Sequence, residues 1–79
     1  MLKKYHFQCD RTRGWLMVPK SDIPEGMVFS PLSRQDDDHF YLDEDTDMKN
    51  FLNQVDGVEI MDTYDGYIDN HPIRNMRRA

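Results

Sequence analysis

The sequence predicts an α+β domain: a small antiparallel sheet of four to five strands with one helix packed on a face. Three observations lead there. Alternation with period two marks strands, a single i, i+3, i+4, i+7 apolar stripe marks one helix, and Gly or Pro recurs between the candidate elements. Seventy-nine residues make a single domain, 1–79, with 64–79 as a turn-rich C-terminal tail. A chain of this size buries roughly 60–65% of its unfolded surface, enough for one modest core.

The first strand is expected over 2–9. There Tyr5, Phe7 and Cys9 point one way, and Lys4, His6 and Gln8 the other. A polar turn over 10–14 hinges on Gly14 and leads into Trp15, Leu16, Met17 and Val18, so the two segments can pair as a hairpin. Pro19 and Pro24 then interrupt, leaving room for one helical turn at Ser21. Met27, Val28 and Phe29 make a third strand candidate, which Pro31 confines to an edge. An acidic turn is expected over 34–38, followed by a strand over 39–42 with Phe40 and Leu42 on one face and His39 and Tyr41 on the other.

The helix is expected over 45–55, where Met48, Phe51, Leu52 and Val55 form the stripe. Asp45 or Thr46 is placed to accept first-turn N–H groups, and Gly57 to end the helix in a left-handed turn. A last strand follows with Val58 and Ile60 alternating against Glu59 and Met61. A helix of this length is marginal alone, so its stripe needs the sheet.

Charge is strongly segregated. Residues 1–34 carry net +3, residues 35–69 carry twelve acids against Lys49 alone, and residues 70–79 carry Arg74, Arg77 and Arg78. Blocks of one sign repel themselves. The bland explanation is a solvated surface; the functional one is a contact face made by Asp36, Asp37, Asp38, Asp43, Glu44, Asp45 and Asp47. Alternate residues of an extended chain lie about 6.6–7 Å apart. Asp36 and Asp38, and likewise Asp43, Asp45 and Asp47, would then form rows of charge as a phosphate backbone does. Like charge disfavours direct binding of nucleic acid by such a face.

Catalytic and metal chemistry find little support. Asp43, Asp45 and Asp47 occupy EF-hand positions one, three and five, but Met48 replaces the Gly and Gln54 the bidentate Glu. His6, Cys9, His39 and His71 have no zinc-site spacing. No nucleophile elbow, P-loop or dinucleotide fingerprint is present. The expectation is a non-enzymatic binding protein with no cofactor and no metal. Cys9 alone allows no intrachain disulfide. No apolar run reaches the ~18–20 residues of a bilayer span, and no signal-peptide core follows Lys3 and Lys4. A cytoplasmic protein without membrane contact is expected. Trp15 is expected in the core, its other reading being a partner anchor. The terminal arginines are expected to fold back onto the chain's own acids or to touch an acidic partner.

Arg13-Gly14-Trp15-Leu16-Met17-Val18-Pro19, Tyr41-Leu42-Asp43-Glu44-Asp45-Thr46-Asp47 and Pro72-Ile73-Arg74 resemble a family of small bacteriophage and prophage proteins. Those proteins share Gly-Trp-Leu-x-Val-Pro, a Tyr-Leu-Glu-Glu-Asp-x-Asp segment entering a short helix, and a closing Pro-Ile-Arg. The order matches over nearly the whole chain; Asp43 and the Pro-broken segment 19–24 depart from the pattern. The resemblance implies a phage accessory protein in the host cytoplasm, and proteins of that class often inhibit host defence, anti-CRISPR proteins among them. It implies as partner a host protein or ribonucleoprotein complex with a basic nucleic-acid channel. The alternative is a small adaptor or regulatory module anchored by Trp15 or the Arg tail.

Overall fold

The structure is a computed structural model that describes residues 3–9, 13–64 and 72–79, without the side chains of 62–64 and 74. Leu2 of the expected first strand, residues 10–12 of the expected turn over 10–14, and the stretch 65–71 of the expected tail, with His71, lie outside the described residues. In chain order the elements are β1 (Lys3–Cys9), β2 (Gly14–Pro19), a 3-10 turn (Lys20–Asp22), β3 (Arg34–Gln35), β4 (His39–Asp43), α1 (Asp47–Gln54), β5 (Val58–Tyr64), a second 3-10 turn (Pro72–Asn75) and β6 (Arg77–Arg78).

The class is α+β, with one six-stranded sheet in the order β5-β1-β2-β4-β3-β6. β1 and β2 pair antiparallel, as the alternation suggests, and β4 pairs antiparallel with β2. The sheet is mixed rather than wholly antiparallel, because β5 runs parallel to β1. The reason is the helix. α1 carries the chain from the far end of β4 back to the near end of the sheet, so the next strand must run in the direction of β4. It lands beyond β1, with Tyr5 opposite Ile60.

Two further corrections concern short segments. Met27, Val28 and Phe29 form no strand. Gly26 takes φ of +82° in a tight turn closed by Met27 N–H to the Pro24 carbonyl. Phe29 then stacks on Phe40 with centroids 4.5 Å apart, while Val28 is exposed. The flanking prolines remove ladder donors, and side-chain packing takes the place of pairing. The acidic turn is narrower than expected: Arg34 and Gln35 form β3, paired with Tyr41 and Phe40 and with Arg78 and Arg77 of β6.

Both faces of the sheet are packed. On one, Tyr5, Leu16, Val18 and Leu42 meet Phe51 of α1, with Met48, Leu52 and Val55 against them. Tyr5 and Phe51 sit edge to face at 5.6 Å, a favoured aromatic geometry. On the other face Trp15 and Tyr41 pack with Ile73 from the C-terminal segment, and all three are buried. The indole N–H of Trp15 donates to the Leu32 carbonyl at 3.2 Å.

α1 begins two residues later than expected. Thr46, at its N-cap, makes no side-chain cap bond; instead the Asp43 carboxylate accepts the Thr46 N–H at 3.2 Å. Val55 N–H closes the last turn on Phe51, and Val55 itself is extended, so the helix ends there and not at Gly57, whose left-handed φ of +72° belongs to the turn before β5.

Candidate functional site

The seven carboxylates proposed as a contact face divide into three environments. Asp36 organises the β3–β4 turn. Its Oδ1 accepts the N–H groups of Asp38 at 2.9 Å and His39 at 2.7 Å, and its Oδ2 accepts the Tyr41 hydroxyl at 2.6 Å. Tyr41's hydroxyl lowers the Asp36 pKa to about 2, helped by the two backbone donors against a cost of burial. The Tyr41 phenol is correspondingly raised to about 12 by burial and then by Asp36. This acid is bound into the fold and is not a projecting contact.

Asp43 and Asp47 are buried, which removes them from the contact face. Asp47 Oδ2 accepts Ser30 N–H at 2.7 Å and the hydroxyl of Ser33, and that hydroxyl oxygen accepts Asp43 N–H at 2.9 Å. The first residue of α1 is thereby tied to the loop that follows Phe29. A buried carboxylate without donors is costly, and these bonds offset the cost. Burial raises the Asp43 pKa, reinforced by the charges of Asp45 and Asp47 and opposed by the Thr46 N–H and Arg13. Ser33, fully buried, is the member of this cluster that sequence reading missed; a Ser two residues beyond Pro31 carries no signal of burial. The expected row of Asp43, Asp45 and Asp47 does not form, because the chain turns over 44–46 instead of staying extended.

Asp37, Asp38, Glu44 and Asp45 remain exposed. They lie beyond the two ends of β4. Six residue steps separate Asp38 from Glu44, roughly 20 Å for extended chain. These four acids therefore form two patches, with Arg77 3.6 Å from Asp37 at the first. That contact is with a carboxylate 96% exposed, where ion pairs contribute little.

The other residues singled out from sequence are placed as follows. Trp15 is 1% exposed and belongs to the core, so it is no partner anchor. His6 and Cys9 are three apart on β1 and project from opposite faces of the strand. Among the described residues no group of three or more His, Cys, Asp or Glu is arranged to hold a metal ion, and no helix is long and apolar enough to cross a membrane.

The segments that carry the phage-protein resemblance supply buried residues: Gly14, Trp15, Leu16 and Val18 from β2, Tyr41, Leu42 and Asp43 from β4, Asp47 from α1, and Ile73. In this chain they act as packing and capping residues. Compared with protein-family models, with curated proteins and with solved structures, the chain matches none.

Proposed function

We propose that this protein is a small non-enzymatic inhibitor of the phage-accessory type, which docks on the basic nucleic-acid channel of a host defence complex through Asp37, Asp38, Glu44 and Asp45. The observation that carries the reading is the sorting of carboxylates: the fold takes Asp36, Asp43 and Asp47 for its own bonds and leaves these four facing solvent. The resemblance to small phage proteins supports the host-directed role, and the single Lys among residues 35–69 supports a basic partner. Two patches roughly 20 Å apart suit a channel with basic walls on both sides better than one flat basic strip. The adaptor reading loses its Trp15 anchor and keeps the terminal arginines Arg74, Arg77 and Arg78.

The test is capture of the partner from host lysate, followed by binding of a variant with Asp37, Asp38, Glu44 and Asp45 all changed to Lys. Folding is checked by circular dichroism. Binding of the parent should fall steeply between about 50 and 200 mM salt, compete with duplex DNA or RNA, and vanish in the variant. Undiminished binding of the folded variant, or simultaneous binding of protein and nucleic acid, overturns the reading.

A further inference from the structure

The sheet has two edge strands, and they are built differently. β6 forms one edge with Arg77 and Arg78 alone, both exposed. Shortness and exposed cations keep an edge from pairing with another chain. β5 forms the other edge with Val58–Tyr64, roughly 20 Å of strand. It holds no Pro, Gly, Lys or Arg, so it lacks the devices that blunt β6. Among the described residues its strand partner is β1, on one side. An edge strand of this kind turns alternate N–H and C=O groups outward, as a template for a further strand.

The side chains of β5 add to this. Among the described residues Val28, Ile60 and Met61 are the exposed large hydrophobics, and two of these are neighbours on β5. By register Ile60 lies beside Tyr5, on the α1 face of the sheet, and Met61 beside His6, on the other face. A further strand would cover both at once, because its own side chains alternate between the faces. The charge of the segment then selects the occupant. Asp56, Glu59 and Asp62 fall within residues 56–64, which hold no Lys, Arg or His. Lys4 stands 4.0 Å from Glu59 with both side chains at least half exposed, and an exposed pair of this kind holds the two charges together only weakly. A second copy pairing through its own β5 would bring two acidic strands together, and its β6 offers only Arg77 and Arg78 to pair with. An extended segment carrying Lys or Arg has the complementary charge, and its backbone can pair with the outward groups of β5.

We propose that the outer edge of β5 is a docking site for an extended basic segment of another protein, which joins the sheet as a further strand. The site uses none of the four exposed acids of the docking surface, and β1 and β2 lie between β5 and β4, so it stands or falls separately from that surface. The experiment is NMR of the full chain, by chemical shift and amide hydrogen exchange, with a short peptide of alternating Lys and Val. One control is the same peptide N-methylated at every residue, which keeps the charge and removes the backbone donors. The other is a peptide of alternating Glu and Val. In the free protein alternate amides of β5 should exchange fast. The Lys–Val peptide should slow them and give saturable shifts centred on residues 58–64, with affinity falling as salt rises. Both controls should bind more weakly by about tenfold or more, and Met61→Lys, a change at an exposed position, should weaken the Lys–Val peptide by about fivefold or more. Equal binding of the N-methylated peptide reduces the contact to charge alone and overturns the proposal. Shifts scattered away from β5, outward amides already protected in the free protein, or self-association of the chain through β5 overturn it as well.

Discussion

The Tyr41 hydroxyl reaches five residues back to donate a 2.6 Å hydrogen bond to Asp36, joining the buried second strand of a hairpin to the acid that shapes its turn. Tyr41→Phe removes the bond and keeps the ring. Bonds to charged groups contribute about 1.5–3 kcal/mol when buried. The Asp36 side chain is 38% exposed, so water replaces part of that, and the expected loss is about 1 kcal/mol.

The same pair sets two pH limits. Asp36 has a folded pKa of about 2, below its ordinary 3.8. Its contribution is present above pH 4 and is lost as pH falls through about 2. The phenols of Tyr41 and Tyr5 are both raised from 10.0 to about 12 by burial and by their carboxylate partners Asp36 and Asp22. Their contribution is present below pH 10 and is lost as pH rises through about 12. Denaturant melts of Tyr41→Phe across both ranges should show a weaker acid dependence and an alkaline dependence reduced to that of Tyr5. An unchanged acid limb would place the Asp36 shift elsewhere.

Gly14 is the second expected point of sensitivity. A Cβ built there would lie 2.2 Å from Cζ of Phe7, across the β1–β2 pair. Gly14→Ala should therefore cost about 1–3 kcal/mol through displaced packing. Combining it with Phe7→Leu, which shortens the obstructing ring, should cost less than the sum of the two single changes. Additive costs in a double-mutant cycle of denaturant melts would refute the steric account.

The two buried acids should respond in opposite ways. Asp47→Ala strands the Ser30 N–H and the Ser33 hydroxyl, and should cost about 2–4 kcal/mol. Asp43→Asn keeps an acceptor for the Thr46 N–H and removes a charge that burial and two neighbouring acids oppose. A raised folded pKa means the native state holds the proton more tightly, so stability falls as pH rises past the unfolded value. Asp43→Asn should then raise the melting temperature at pH 7, with the gain fading towards acid pH. A lower melting temperature at pH 7 would show that the charge is needed where it lies.

Periodicity alone determined the elements with one strongly patterned face. The alternation of Tyr5 and Phe7 against Lys4 and His6, and the stripe of Met48, Phe51, Leu52 and Val55, are written in local spacing because each side chain answers to one face. The left-handed conformation of Gly57 was legible, but the helix already ends at Val55 in an extended conformation, so Gly57 turns the chain into β5 and does not stop α1. Tertiary structure decided the rest. β5 joined β1 in parallel because a helix intervened, which spacing within a strand does not encode. Ile73 became core only when the C-terminal segment crossed over Trp15 and Tyr41. Asp37, Asp38, Glu44 and Asp45 read in sequence like Asp36, Asp43 and Asp47. What separated them was the position of Tyr41, Ser30 and Ser33 in space, since a carboxylate turns inward only where donors wait to replace its water.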